Sequence, residues 1–392
     1  MQNRDKELLI DLCTKMIQTP SMSGREKDLV NLLKREMVSL GFDSVNVDCM
    51  GNIVGKIEGK KGGKTVLMDG HLDTVPIANR SSWSVEPFGG EIKEGKIYGR
   101  GASDMKGALA AMIYAASLLK KEGSLKGDLY VSGTVYEELA EGYSLEPVLE
   151  ATNPNIVIIG EATNLNLNVG QRGRAQIVLN TYGVPAHSAN PHKGVNAVLQ
   201  MMVLLEEINK IASPLCPYLG RGELVLTDII SSPYPGASVI PEVCKVTFDR
   251  RLLTGETKKS VLKPFLQLID RLTNENSYFK ADVKIDTIPI NTYAKHKGIH
   301  ESFVPAWLLD RSSELVRNSL DALKRIGLTD SEIGTYSFCT NGSRSAGIRN
   351  IPTLGFGPSL EHQAHVVDEY IEIDQLTKAC SGYMALAKVL TA

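Results

Sequence analysis

The sequence predicts an α/β fold, with a mostly parallel central sheet flanked by helices and interrupted by a smaller α+β domain. Three observations predict it. The run Ile156-Val157-Ile158-Ile159 is apolar without alternation, as a strand covered on both faces must be. Strand-like runs in the first part of the chain are interleaved with helical stretches, the alternation that parallel sheets require. From about Arg174 the order changes to strand, helix, strand, strand, helix, strand over roughly 120 residues, the series of a ferredoxin-like sandwich.

Taken in order, Ser23-Gly24-Arg25-Glu26 has the spacing of a capping box ahead of Leu29, Val30, Leu32, Leu33, Met37 and Leu40, with Gly41 as the stop, and predicts an amphipathic helix. Strands follow over 44–49, 52–58 and 65–69, then a helix over 106–121 and strands over 128–135 and 156–160. The stretch 108–119 is apolar nearly all round, so it belongs in a core, and it is far short of the ~20 residues that cross a bilayer. The inserted series reads as strand 175–182, helix 194–210, strands 224–230 and 245–251, helix 256–274 and strand 281–288. Beyond a polar stretch with His296 and His300, a helix near 313–326, a strand at 353–356 and a closing helix near 375–390 rejoin the first domain. This places one domain at 1–173 plus 297–392 and the insertion at 174–296, which suits 392 residues against a usual domain of ~150.

Composition narrows the function classes. Lys+Arg 43 against Asp+Glu 45 leaves a formal charge of -2, so there is no positive field to hold a nucleic acid or an anionic membrane. The opening is charged and a spanning segment is lacking, which predicts a cytoplasmic protein. Six scattered cysteines without a Cys-x-x-Cys pair predict reduced thiols, not a disulfide framework or a zinc ribbon. Gly62-Gly63-Lys64-Thr65 resembles the end of a phosphate loop, but Glu58 stands where the loop needs Gly and the segment precedes a strand. The Gly-x-Ser-x-Gly elbow of a serine hydrolase is absent.

Polar residues cluster where a parallel sheet builds its site, just beyond the carboxyl ends of strands. His71 and Asp73 follow the strand at 65–69, Glu137 and Glu138 follow 128–135, Glu161 follows 156–160, and Asp104 lies in a turn before a helix. Each alone has a plain structural reading: Asp104 an N-cap, Glu137-Glu138 a solvated loop, His71 a hydrogen-bonded core residue. Together they would strand several charges in apolar surroundings unless a cation compensated them. Imidazole and carboxylate without thiolate suit zinc, and also cobalt or manganese. Asp73, on the same side of the extended chain as His71, is placed to fix that ring through its other nitrogen.

The segments His71-Leu72-Asp73-Thr74-Val75-Pro76, Gly99-Arg100-Gly101-Ala102-Ser103-Asp104-Met105-Lys106-Gly107, Glu137-Glu138, Gly160-Glu161-Ala162 and His365-Val366-Val367-Asp368-Glu369 resemble the signatures of the di-zinc hydrolase family of acetylornithine deacetylase, succinyl-diaminopimelate desuccinylase, aminoacylase and carboxypeptidase. Phe338-Cys339-Thr340-Asn341-Gly342, Gly355-Phe356-Gly357-Pro358 and Asp249-Arg250-Arg251 look closest to its YgeY, or selenium-metabolism hydrolase, branch. The resemblance implies a zinc-exopeptidase-like catalytic domain whose insertion is a lid and dimerisation domain. It implies that Asp104 bridges two divalent ions, with His71 and Glu161 completing one site and Glu138 and His365 the other, and that Glu137 is the general base. His362 competes with His365, and the family's His, short spacer and Glu favour His365.

His187 reads plainly as a loop histidine capping a helix; the resemblance implies that it reaches into the neighbouring subunit of a homodimer to hold an oxyanion. Arg251 reads plainly as half of a salt bridge with Asp249, or else as a grip on a substrate carboxylate. Asn341 resembles the family's amide or backbone contact to substrate. The function implied is hydrolysis of an amide-type C–N bond in a small carboxylate-bearing substrate, an N-acyl amino acid or short peptide. Hydrolysis of an N-carbamoyl acid on the same fold, and a catalytically silent homologue, are the alternatives, and Glu137 beside five candidate ligands argues against the second.

Overall fold

The computed structural model describes residues 2–392, and its first element is one that the charged opening conceals: a helix over Asn3–Ile17. Arg4, Lys6 and Glu7 lie on its exposed side, while Leu9, Leu12, Cys13, Met16 and Ile17 are buried at helical spacing. The chain divides into two units, one of residues up to Gln171, Pro289–His300 and Trp307–Ala392, the other of Arg172–Ile288 and Glu301–Ala306.

In the first unit a nine-stranded sheet is parallel in its middle and antiparallel at its edges. The central strand Val66–His71, buried at every residue, pairs in parallel with Leu129–Thr134 on one side and Ile156–Ile159 on the other. Thr353–Gly355 adds a further parallel strand beside Ile156–Ile159 and pairs antiparallel with Leu167–Gln171 on its far side. Ser44–Val47 and Ile53–Ile57 form one antiparallel edge. The apolar run at 108–119 is the heart of the buried helix Gly107–Glu122, and with Ile373–Leu390 it contributes to one core. Two glycines let the sheet meet Met105 and Met112: a Cβ at Gly70 would lie 2.6 Å from the Met105 methyl, and one at Gly160 would lie 2.7 Å from both methyls.

Strand pairing continues past residue 288 and across the 296/297 boundary that the sequence suggests. Thr287–Asn291 and Lys297–Glu301 form a two-stranded hairpin, and residues 289–300 of it group with the first unit. Its Ile290 is buried and the hydroxyl of Tyr293 donates to the Gly51 carbonyl at 2.8 Å, contacts that outweigh the polar look of the stretch.

The second unit is an antiparallel sheet in the order Leu224–Ser232, Val243–Leu252, Gly173–Tyr182, Ala281–Ile285, with helices Ala197–Ile208 and Lys258–Glu275. Met201, Leu204, Val261, Phe265 and Leu272 join Ile177, Leu179 and Val246 in its core, and the sequence of elements is the ferredoxin-like one. The edge strand Leu224–Ser232 leaves Val225, Leu226, Ile229 and Ile230 exposed. Among the described residues no helix is long and apolar enough to cross a membrane.

Candidate metal centre

His71 closes the central strand with its side chain 1% exposed. Its Nδ1 lies 2.8 Å from the backbone carbonyl of Asp73. A carbonyl can only accept, so Nδ1 carries the hydrogen and Nε2 is the nitrogen left to face Asp104 Oδ1 at 2.9 Å and Glu161 Oε1 at 3.4 Å. The contact from Asp73 to the ring's other nitrogen is made by the main-chain carbonyl, and the Asp73 carboxylate lies 3.7 Å from Nδ1. The segment after the strand brings the main chain of residue 73 to the ring, while its side chain reaches the amides of residues 137 and 138. Asp73 Oδ1 accepts from the Glu137 amide at 2.9 Å, and Oδ2 accepts from the Glu138 amide at 3.1 Å and the Ser23 hydroxyl at 2.7 Å.

Asp104 is no N-cap: the helix begins at Gly107 with Lys106 in the cap position, and Asp104 lies before it with φ -127° and ψ 93°. The loop before it is wound round the buried carboxylate of Glu369. One oxygen of Glu369 accepts from the Ser103 and Asp104 amides at 2.8 and 3.0 Å, the other from the Gly101 amide at 3.1 Å and the Arg100 guanidinium at 2.6 Å. Asp104 thereby turns one oxygen to each of two imidazoles, Oδ1 to His71 and Oδ2 to His365 Nε2 at 3.1 Å. His365 Nε2 is also 3.0 Å from Glu138 Oε2. His362 sits in the short turn Glu361–Gln363, and it is His365 whose ring reaches the cluster.

This donor set fits a pair of divalent cations. Ligand atoms of His71, Asp104 and Glu138 lie within 4.8 Å of one another, as do those of His71, Glu137 and Glu161. The carboxylates of Asp104, Glu137, Glu138 and Glu161 share this space, none of them more than 13% exposed. With only the protein's own groups present, burial drives Glu137 well above the usual carboxylate range and Glu138 up to about 7. Burial opposes a charge on His71, yet hydrogen bonds to Asp104 and Glu161 raise it well above its ordinary value, and hydrogen bonds to Asp104 and Glu138 raise His365 to about 10. Two imidazolium ions compensate four carboxylates poorly; cations of higher charge on nitrogen and oxygen donors compensate them fully.

Several supporting residues escape the sequence reading. Lys106, fully buried, donates to the carbonyls of Met16 and Thr19 at 3.1 and 2.8 Å and ties the loop to the first helix; burial lowers it to about 7. Asn341 is turned inward: its amide donates to Asp69 Oδ2 and Thr134 Oγ1, both at 2.9 Å, and its oxygen accepts from the Gly142 amide at 2.7 Å. It is a brace between the central strands and the loop behind Glu138. Ser23 and Glu26, despite their spacing, form no capping box, because Ser23 bonds Asp73 and the Glu26 side chain makes no cap hydrogen bond.

Burial, then the nearby Asp73 charge, lifts Glu26 to about 7 from 4.5. The folded chain therefore holds a proton that the unfolded chain has released across this window, so its stability falls as pH rises from about 4.5 to 7 and levels off above. Relative to Glu26→Gln, wild type should lose up to ~1.4 kcal/mol per pH unit there, read by urea unfolding of both proteins in metal-free buffer. A difference that does not change with pH would refute the shift.

His187 and Arg251 belong to the second unit. His187 is exposed on a loop bridged to Val239, with Nδ1 accepting from the Ala189 amide at 3.0 Å. Asp249 takes Arg251 Nε at 3.0 Å and Arg174 Nε at 2.8 Å on its two oxygens, which sets the guanidinium groups of the cross-strand partners Arg174 and Arg251 side by side.

The model of Peptidase family M20/M25/M40 matches residues 67–389 of this chain. The Escherichia coli (strain K12) protein YgeY is 31% identical over 382 residues, covering 95% of this chain and 91% of its own. A succinyl-diaminopimelate desuccinylase of Cereibacter sphaeroides (strain KD131) is 26% identical, covering 97% and 98%. The crystal structure of the Bacillus subtilis YXEP protein, a dinuclear metal binding peptidase, superposes with a TM-score of 0.73 over 100% of this chain and 99% of that one at 14% identity, a likeness of fold.

Proposed function

The chain belongs to peptidase family M20/M25/M40, and from that premise we propose that it is a cytoplasmic, homodimeric, di-metal enzyme that cleaves N-acyl amino acids or short peptides bearing a free carboxylate. The coarser part, a metal-dependent hydrolase of peptide or amide C–N bonds, follows from the family. The observation that supports the di-metal part is Asp104, whose oxygens face His71 and His365 separately, with Glu137 near His71.

His71 with Glu161, and His365 with Glu138, would hold one ion each, sharing Asp104; zinc is proposed, with cobalt or manganese able to replace it. When bound, two such ions would supply an acidified water and polarise the scissile carbonyl. Glu137 accepts the proton of the attacking water and returns it to the leaving nitrogen, a task suited to a carboxylate that burial makes more basic than usual. Asp73 holds the backbone of Glu137 and Glu138 together, so base and ligand keep a fixed separation. Arg251, pre-set by Asp249, grips the substrate carboxylate.

Reconstitution with zinc, cobalt or manganese should give up to two ions per chain by elemental analysis, and fewer than one would overturn the di-metal reading. The reconstituted protein, screened on N-acyl amino acids and dipeptides, should prefer free carboxylates to their amidated twins. Equal rates on both would remove Arg251 from substrate binding.

A second copy of the chain is proposed to cover the edge strand Leu224–Ser232 and the outer face of Ala197–Ile208, where Val225, Ile229, Leu199 and Met202 are all more than half exposed. His187 then serves the partner's centre by holding the developing oxyanion. His187→Ala should lower kcat with metals retained, and verified heterodimers with Glu137→Gln should regain part of the activity. Heterodimers no more active than either parent would reject the in-trans role.

A further inference from the structure

We infer that Glu26 is a positioning residue for Glu137, acting through the main chain of Tyr136. The inference rests on Glu137 being the base. Glu26 stands at the start of the helix Lys27–Ser39 yet does nothing for it, since its side chain makes no cap hydrogen bond. The side chain is instead fully buried and folded back, with Oε1 accepting from the Gly24 amide at 2.9 Å and from the Tyr136 amide at 3.2 Å.

Tyr136 is held at φ +65°, a left-handed backbone that a bulky residue adopts only when its surroundings impose it. The next two amides, of Glu137 and Glu138, are held by Asp73. Three successive N–H groups thus point at two buried carboxylates, and Glu26 alone secures the first, where the chain bends out of the strand Leu129–Thr134. Without that acceptor Tyr136 can relax toward negative φ, and the rotation passes directly into the Cα–Cβ direction of Glu137.

The second oxygen supports this reading. Glu26 Oε2 is buried with no hydrogen-bond partner among the described residues. Burying a carboxyl with one oxygen unpaired is unfavourable, and a helix start gains nothing from it. The oxygen that is paired accounts for its retention.

The test uses the full chain with Glu26→Leu, which removes the acceptor, Glu26→Gln, which keeps a carbonyl at Oε1, and Glu26→Asp, which withdraws the carboxylate by one methylene. Hydrogen exchange of the metal-free proteins, resolved at residues 136–138, gives a readout independent of turnover. Steady-state kinetics and metal content of the reconstituted proteins give the second. Glu26→Leu and Glu26→Asp should speed exchange at 136–138 by about tenfold or more and lower kcat by about 10–10²-fold, with KM and metal content near wild type. Glu26→Gln should stay within about threefold of wild type in both, since its acceptor remains.

A purely structural role would instead loosen the amides of residues 27–30 and lower the melting temperature while leaving 136–138 and kcat unchanged, and that result would overturn the inference. If Glu26→Leu does not fold, Glu26→Asp decides: wild-type protection and kcat would be equally fatal. Glu137→Gln run alongside separates the two failures. An active Glu137→Gln would remove the base itself, whereas an inactive one beside fully active Glu26 variants would remove only Glu26.

Discussion

Glu137→Gln is expected to cut turnover by about 10²–10⁴-fold while the protein still binds its full complement of metal. The amide is the same size, and the Glu137 main-chain N–H, bonded to Asp73, is untouched by the change. Only the capacity to take a proton disappears. Glu138→Gln should behave differently. Its carboxylate lies 3.0 Å from His365 Nε2 on the opposite side of Asp104 from His71, so weakening that oxygen should show first as lost metal. Elemental analysis beside kcat distinguishes the pair. Equal metal content and equal rate in both would mean that base and ligand have been assigned wrongly.

Asp73→Asn should also lower turnover, though less, and it likewise conserves size. Both oxygens of Asp73 accept main-chain N–H groups, Oδ1 from Glu137 and Oδ2 from Glu138, with Ser23 also on Oδ2. An asparagine keeps one acceptor and presents a donor to the other N–H. A buried donor left facing a donor costs about 1–3 kcal/mol, enough to drive the 136–138 turn to another conformation and lower kcat by about 10–10²-fold. His71 should keep its tautomer, because the ring is set by the Asp73 carbonyl, which the substitution leaves in place. The expected signature is therefore lost turnover with metal retained on the His71 side and weakened on the Glu138 side. Wild-type kinetics in Asp73→Asn would show that the two N–H contacts do not matter to the centre.

The strand ends were the legible part of this site, because a parallel sheet must expose its carboxyl edge and side chains there have a restricted set of uses. His71, Glu137, Glu138 and Glu161 could be marked by their position after apolar runs alone. What supports them was not legible, for identifiable reasons. Ser23 and Glu26 carry capping-box spacing because hydroxyls and carboxylates that accept or donate locally are the same groups that can reach a distant main chain; nothing in the spacing reveals which they do. Glu369 is separated from the loop it braces by more than 260 residues. Asn341 sits in a segment whose resemblance pointed to substrate, yet its bonds are all internal. The helix Asn3–Ile17 was hidden by a run of charges that turn out to line its outer side. The domain boundary shifted because residues 289–300 extend a strand into a hairpin anchored by Tyr293.

The position of Thr353–Gly355, between Ile156–Ile159 and Leu167–Gln171, also constrains how the protein can be made. A ribosome delivers the two flanking strands almost two hundred residues before the one that joins them. The whole of the second unit up to Ile288 emerges in between and has its own core, so it can fold while the larger sheet is still split. Until residue 355 is released, the inner edge of Ile156–Ile159 is an open template in the nascent chain, one strand away from His71. His365 and Glu369 arrive later still, so the centre is assembled only in the last moments of synthesis, after nearly everything that surrounds it.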